Sequence, residues 1–255
     1  MTWKAIGQSV AGTSHIAAAK GCEDAVRYEV FSHPHGYDVL ACCISDGAGS
    51  ATHAAIASAF TVTKAMEYIQ HFIAHGEELT EAHIYALAED IYHGLAEEAA
   101  ANELPISEYS CTIAACILTP DRSAFMQIGD GAIVRDDGND GYNIVWWPQT
   151  GEYHNTTYFI TDNSSLGDLH VMVTDTPVNE IALFTDGLQL LALNMEASSV
   201  HQPFFKDLFR YLRQADNSDK IAVLDHKLAE YLDSPRINER TDDDKTLFMA
   251  TRLPA

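Results

Sequence analysis

Two kinds of hydrophobic pattern alternate along the chain, and they predict two kinds of element. Short apolar runs bounded by Gly, Pro or Asp are typical of buried strands, whereas longer stretches with an apolar residue every three or four positions are typical of helices. The predicted strands cover residues 3–9, 37–45, 110–118, 124–130, 132–137, 142–147, 181–186 and 246–253. The predicted helices cover residues 50–74, 80–101, 198–214 and 220–232.

The order of these elements predicts how they pack. Strands occur in runs and helices occur in pairs, without the regular alternation of strand and helix that a parallel sheet requires. This order favours an α+β fold in which one sheet packs on another and the helices lie outside. The turns at 120–121 and 138–141 connect neighbouring strands in a meander, so the sheets should be mainly antiparallel.

Carboxylates stand at the ends of several predicted strands. Three apolar runs end in Asp-Gly, at Asp46, Asp130 and Asp186, and the acidic cluster 242–244 leads into the last apolar run. Carboxylates that meet at a sheet edge repel one another unless a cation neutralises them, and oxygen ligands are those that Mg²⁺ and Mn²⁺ take. The sequence therefore predicts a metal site that is built from distant segments, although any single Asp-Gly is more often a turn.

The spread of these acidic strand ends also predicts the domain organisation. No stretch is rich enough in Pro, Gly or Ser to act as a linker, and a site that joins both halves of the chain requires both halves in one unit. We therefore predict a single domain over residues 1–255. Residues 148–179 are polar and weakly periodic, which is long for a connection and makes this segment a candidate functional flap.

Composition excludes some partners. The chain of 255 residues has 15 basic and 37 acidic residues, a formal net charge of −22, which repels nucleic acid and anionic membranes. No segment approaches the roughly 20 apolar residues of a membrane span. Three of the five cysteines, Cys42, Cys43 and Cys116, lie in strand-like runs and are typical of buried free thiols in a reducing compartment. With an amino terminus that lacks the apolar core of a signal peptide, these features predict a cytoplasmic protein.

The ordered set of motifs is more specific than its members. It comprises Glu23-Asp24, Asp46-Gly47, the run "EYSCTIAACIL", and then Asp130, Asp186 and Asp243. In this order, from about residue 12 to the carboxy terminus, the motifs resemble those of the type 2C metal-dependent Ser/Thr protein phosphatase family. The resemblance implies a four-layer α-β-β-α sandwich, with two mainly antiparallel sheets flanked by helix pairs and metal ions at one edge.

The resemblance also implies a set of ligands for two Mn²⁺ or Mg²⁺ ions. Asp46 would bridge both ions, and the carbonyl oxygen of Gly47 would bind one of them. Asp186 and Asp243 would complete the shell of the first ion. Asp46, Asp186 and Asp243 would then act through a water held between the ions, which loses its proton near neutral pH and attacks phosphorus in line.

Three further positions receive a metal role from the resemblance. Glu23 would face the second ion, with Asp24 beside it, directly or through water. Asp130 corresponds to the position that is associated with a third, weaker ion in microbial members. The implied substrate is a phosphorylated protein, and the implied partner is a cognate Ser/Thr kinase or its target.

The chain departs from the family pattern at the phosphate anchor. The usual Arg, four residues before the position of Glu23, is Ala19 here. Lys20 is our first candidate for a replacement cation and His15 the second, because both precede Glu23 on the segment that must reach the metals. The missing Arg leaves an alternative function open, a pseudophosphatase that binds a partner kinase or phosphoprotein without turnover.

Overall fold

The computed structural model of the chain describes residues 3–151, 157–162 and 165–252. In these ranges the strands are β1 (Lys4–Val10), β2 (Asp24–Ser32), β3 (Asp38–Asp46), β4 (Ile113–Leu118), β5 (Ser123–Ile128), β6 (Ala132–Asp136), β7 (Tyr142–Ile144), β8 (His170–Thr174), β9 (Glu180–Phe184), β10 (Leu193–Asn194), β11 (Ser199–Val200) and β12 (Lys245–Thr251). The α-helices are α1 (Thr13–Ala17), α2 (Ala54–Ala74), α3 (Glu81–Ala101), α4 (Ser165–Asp168), α5 (Gln189–Ala192), α6 (Gln202–Gln214), α7 (Ser218–Leu232) and α8 (Pro235–Asn238). Short 3₁₀ turns cover Ile106–Tyr109 and Asp186–Leu188.

The strands form two five-stranded sheets in which every pairing is antiparallel. Sheet 1 has the order β1-β12-β9-β6-β7, and sheet 2 has the order β2-β3-β4-β5-β8. Strands β10 and β11 form a separate small ribbon. The first strand of the chain pairs with the last along its whole length, from Lys4 opposite Thr251 to Val10 opposite Lys245.

The two faces of each sheet bury different neighbours. Strand β3 is apolar over nearly its whole length because it is covered on both faces. Its residues Leu40, Cys42 and Ile44 pack in the core between the sheets, together with Leu183 and Phe248 of sheet 1. The alternate residues of β3 pack in a second core with α2 and α3.

Helices α6 and α7 cover the outer face of sheet 1 in a third core, to which Phe205, Phe209 and Leu228 contribute. The layers are therefore helices, sheet 2, sheet 1 and helices. This arrangement confirms the predicted α+β sandwich of four α-β-β-α layers with helix pairs outside.

Two edge strands were not among the predicted elements. Strand β2 carries polar residues such as Arg27 and Glu29 between its apolar ones, and β8 is only half-buried along its length. A strand with one free edge and a partly solvated face does not produce a continuous apolar run, so the pattern failed there. Strand β8 lies inside the segment 148–179 that was interpreted as a connection, and residues 152–156 and 163–164 of that segment lie outside the described residues.

The cysteines and the helices can be compared with what the sequence predicts for them. Cys42, Cys43, Cys111 and Cys116 are buried free thiols, and Cys22 is a half-buried one. The helix predicted over 198–214 begins only at Gln202, since two of its first residues form β11. Among the described residues, the helices all fall short of the length and apolar character that a bilayer crossing demands.

Candidate metal centre

Strand pairing brings the acidic residues of distant segments to one edge of the sandwich. Because β2 and β3 are antiparallel, the first residue of β2, Asp24, lies directly opposite the last residue of β3, Asp46. Asp130 stands in the turn between β5 and β6, and Asp186 begins the turn after β9. Asp243 lies two residues before β12, which pairs with β9. Residues that are separated by more than 200 positions therefore meet here.

Three of these carboxylates form a compact cluster. One carboxylate oxygen from each of Asp46, Asp130 and Asp186 lies within 4.8 Å of the others. Together with Gly47 and Asp243, they line a cleft of about 460 Å³. This separation of oxygen atoms is short enough for several carboxylates to share one cation.

Glu23 and Asp24 lie beside this cleft, below its surface. Both side chains are buried, and one oxygen of Asp24 accepts hydrogen bonds from the hydroxyls of Thr185 at 2.7 Å and Thr246 at 2.8 Å. The hydroxyls hold Asp24 in place and leave its other oxygen available for a ligand.

Several buried oxygens at this edge have no hydrogen-bond partner among the described residues. They are Oε2 of Glu23, Oδ1 of Asp24 and Oδ1 of Asp186. An unpaired buried carboxylate oxygen costs free energy unless a cation or donor meets it. The donors are hard oxygen atoms, which fit Mg²⁺ or Mn²⁺ and not the softer metals that prefer sulfur.

The pKa values of these carboxyl groups are raised by the same burial and by repulsion between neighbouring carboxylates. Burial raises the pKa of Asp46 well above its ordinary value, and the charges of Asp24 and Asp186 raise it further. Burial also raises the pKa of Asp24 to about 8, of Asp130 to about 7 and of Asp186 to about 6. Without metal, protons relieve the repulsion; a bound cation would displace them.

Glycine follows the aspartates because the backbone passes very close to another segment. A Cβ atom on Gly47 would clash with the backbone of Ala54 at the start of α2. A Cβ atom on Gly187 would clash with the backbone carbonyl of Asp244. The Asp-Gly pairs at Asp46 and Asp186 are therefore sites of close packing, which a residue with a side chain could not occupy.

Asp244 is a buried residue of this edge that positions the site and that the sequence did not single out. Its side chain is 3% exposed, and its two oxygens accept hydrogen bonds from the backbone N–H groups of Gly12 at 2.6 Å and Glu23 at 2.5 Å. It thereby fixes both ends of the segment that carries His15 and Lys20. The signal was present in the three consecutive aspartates at 242–244, but nothing in their order distinguishes the buried one.

The two candidate phosphate anchors lie on this segment. His15 lines the cleft, and its Nε2 is 3.8 Å from Oε2 of Glu23 and 4.0 Å from Oδ1 of Asp243. Lys20 is more exposed, and its Nζ lies 3.2 Å from Oε1 of Glu23 and 3.5 Å from the carbonyl oxygen of Gly49. Both side chains are thus beside the carboxylates, with His15 in the cleft wall.

Other cleft residues clarify the remaining candidates. Ala48 also lines the cleft. His53 precedes α2 and stacks on Tyr109 with ring centroids 4.8 Å apart, outside the set of residues that line the cleft. Thr157 and Phe159 also line the cleft, so a described part of the candidate flap reaches it.

Comparison with known proteins places the chain in context. The family model for protein phosphatase 2C matches residues 11–233. The chain is 37% identical to serine/threonine-protein phosphatase 3 of Escherichia coli K12 over 98% of both proteins. Among solved structures, it is similar to serine/threonine phosphatase Stp1 from Staphylococcus aureus, at 16% identity and a TM-score of 0.62, covering 100% of this chain and 96% of that one. The catalytic domain of PstP in complex with two manganese ions matches at 15% identity and a TM-score of 0.61, covering 98% and 97%.

The raised carboxyl pKa values predict how pH changes the stability of metal-free protein. The folded state binds more protons than the unfolded state between about pH 4 and 8, so stability is greatest in acid and falls as pH rises through the folded pKa values of Asp186, Asp130 and Asp24. We expect the Tm in a chelator to fall by several degrees between pH 5 and 8, since about 1 kcal/mol corresponds to roughly 2–4 °C at this size. Thermal unfolding monitored by circular dichroism measures this, and Asp46→Asn should flatten the slope. A Tm that is constant or rises would contradict the assignment.

The hydrogen bonds of Asp244 predict a loss of stability when its charge is removed. In Asp244→Asn, an amide NH₂ would face a backbone N–H, so one charge-assisted hydrogen bond is lost. We expect the free energy of unfolding to fall by about 1.5–3 kcal/mol, measured by urea titration. The control is Asp242→Asn, which removes the same charge from an exposed neighbour. Equal midpoints for the two variants would exclude the structural role of Asp244.

Proposed function

This chain belongs to the protein phosphatase 2C family, and we propose that it hydrolyses phosphoserine and phosphothreonine in proteins with the help of divalent metal ions. The main support is the cluster of Asp46, Asp130 and Asp186, in which one carboxylate oxygen of each residue lies within 4.8 Å of the others. The chain that carries this cluster matches a Ser/Thr protein phosphatase over 98% of its length. The alternative of a pseudophosphatase finds no support in these comparisons. A binding module would gain nothing from a cluster of like charges.

We assign the ligands as follows. Asp46 would hold both ions, the carbonyl oxygen of Gly47 would bind one of them, and Asp186 and Asp243 would complete the shell of the first ion. Support comes from the cleft that these four residues line together. When bound, the ions supply a water that is acidic near neutral pH and positive charge for the transferring phosphoryl group. The carboxylates hold their geometry because the strand ends and close glycine contacts position them before substrate arrives.

Glu23 would hold the second ion, with Asp24 beside it, directly or through water. The unpartnered Oε2 of Glu23 and Oδ1 of Asp24 support this assignment. The hydroxyls of Thr185 and Thr246 orient the Asp24 carboxylate by binding its other oxygen. Such outer partners restrict a ligand to one orientation and thereby strengthen the site.

Asp130 binds a third, weaker ion in our proposal. Its closeness to Asp46 and Asp186 supports a shared cluster, and its pKa is raised in part by the charge of Asp186. Both Mg²⁺ and Mn²⁺ suit these oxygen donors, and Mn²⁺ is our choice for assays because the PstP catalytic domain was solved with two manganese ions.

The substrate is a phosphorylated protein, and we propose a cognate Ser/Thr kinase or its target as the partner. The net charge of −22 opposes binding to nucleic acid or an anionic membrane. Buried free thiols are consistent with the reducing cytoplasm as the compartment. We further propose that residues 1–255 act as a single domain, and that of the segment 148–179 the described residues 157–162, among which Thr157 and Phe159 line the cleft, act as its flap.

The bridging role of Asp46 predicts that its removal abolishes activity. In Asp46→Asn, turnover of p-nitrophenyl phosphate at saturating Mn²⁺ should fall by at least about a hundredfold, as expected for a central group of the catalytic site. Turnover near that of the wild type in this variant would exclude the two-metal assignment.

The proposed role of Asp130 as a ligand of a third ion predicts a smaller effect. Asp130→Ala should lower turnover while sparing tight binding of the first two ions, which isothermal titration measures.

Two single variants test which of the candidate anchors, Lys20 or His15, binds the phosphate group. If Lys20 is the anchor, Lys20→Met should raise the KM for a phosphothreonine peptide about tenfold and weaken inhibition by inorganic phosphate, with Mn²⁺ affinity unchanged. The same pattern in His15→Ala, with Lys20→Met silent, would assign the anchor to His15. If both variants keep the KM of the wild type, the metals alone bind the phosphate.

A further inference from the structure

A second concave surface contains a concentration of positive charge that contrasts with the acidic chain. The groove has a volume of about 500 Å³ and lies among α5, α6 and α8. Three arginines line it, Arg210, Arg236 and Arg240, although the whole chain has only 15 basic residues against 37 acidic ones. We call this surface the arginine groove. One carboxylate, that of Asp207, lines it with them.

Two of the three guanidinium groups are available to a ligand. Arg236 and Arg240 are exposed, and neither has a carboxylate within 4.0 Å among the described residues. Arg210 is partly engaged, because it lies 3.5 Å from Asp207 and 5.1 Å from the ring centroid of Tyr211. An unpaired guanidinium presents a planar set of N–H donors that matches a carboxylate.

Apolar side chains are exposed in the same groove. Leu190 is 69% exposed and Tyr211 is 52% exposed, and both line it. Exposed Leu and Tyr beside Arg are typical of surfaces that bind peptides, because they combine apolar contact area with charge recognition. A ligand that fits both features has carboxylates next to an apolar residue.

The arginine groove is covalently and structurally connected to the metal edge. The 3₁₀ turn that begins at Asp186 continues directly into α5, which contains Leu190. At the start of α5 the side-chain amide of Gln189 donates a hydrogen bond to the carbonyl oxygen of Asp130 at 2.6 Å. Leu190 of the groove is thus the fourth residue after Asp186 of the metal edge and follows a residue that is hydrogen-bonded to Asp130.

We propose that the arginine groove binds an acidic segment, with an apolar residue in it, that flanks the phosphorylated Ser or Thr of the substrate. The inference rests on the proposed phosphatase function and names the class of substrate. The overall charge of −22 repels an acidic peptide, but physiological salt screens charges that are farther away than about 8 Å. At the groove, attraction by the nearby arginines therefore outweighs repulsion by distant carboxylates. The groove thus selects acidic substrates that the rest of the surface disfavours.

The test compares two double variants and matched phosphothreonine peptides. Arg236→Gln with Arg240→Gln removes two charges from the groove, and Arg27→Gln with Lys227→Gln removes two exposed charges elsewhere. The peptides carry Glu-Glu-Leu or Gln-Gln-Leu on either side of the phosphothreonine. For one of the two positions of the tripeptide, before or after the phosphothreonine, the Glu peptide should have a KM roughly threefold to tenfold lower than that of its Gln partner. We expect this difference both in the wild type and in the control variant. The groove variant should lose this preference and keep its kcat/KM for p-nitrophenyl phosphate.

The possible failures are distinguishable. Equal KM values for Glu and Gln peptides in the wild type would overturn the groove proposal, as would an equal loss of preference in the control variant. No hydrolysis of p-nitrophenyl phosphate by the wild type with Mn²⁺ would instead overturn the phosphatase function. In that case, fluorescence anisotropy of a labelled, unphosphorylated Glu-Glu-Leu peptide tests the groove alone. Binding that is lost in Arg236→Gln with Arg240→Gln supports the groove, and no binding to the wild type refutes it.

Discussion

Electrostatic repulsion among buried and half-buried carboxylates at one edge of the sandwich is the constraint on which this site depends. Asp24 and Asp46 face each other across a strand pair, and Asp130 and Asp186 join them from the other segments. Burial and mutual charge raise the pKa of each group. The protein relieves this cost only in part, through the hydroxyls that bind one oxygen of Asp24. The remaining oxygens are therefore positioned to bind cations, and metal binding would offset the unfavourable free energy of bringing these carboxylates together.

The same edge depends on close approach of backbone segments. Gly187 and Gly12 both lie against the backbone of residues 242–244, where no Cβ atom could be accommodated. Asp244 then connects this segment to the chain between β1 and β2 through two backbone N–H groups. As β1 and β12 are already paired, the two ends of the chain are joined both by a sheet and by a buried carboxylate. The backbone of the metal edge is thus fixed by strand pairing, by close contacts at glycine and by the hydrogen bonds of one buried carboxylate.

The charge distribution separates chemistry from recognition. Acidic residues outnumber basic ones and supply the metal cluster, whereas the two arginines of the arginine groove that are unpaired among the described residues, Arg236 and Arg240, lie outside the cleft. A phosphorylated protein would meet cations at both places, bound ions at the cleft and guanidinium groups in the groove. Discrimination among substrates would then come from residues outside the reacting centre, where a change alters KM and leaves the chemistry of phosphate hydrolysis intact.

The sequence by itself determined the buried strands, the paired helices and the aspartates at strand ends, because apolar periodicity and Asp-Gly junctions are local properties. It also determined the family, since the motifs from Glu23 to Asp243 occur in a specific order. The tertiary structure alone decided the edge strands β2 and β8, whose partly exposed residues leave no apolar run. It alone distinguished Asp244 from its two neighbours and brought Arg210 to Arg236 and Arg240. These features depend on distances between residues far apart in the chain, which no local pattern encodes.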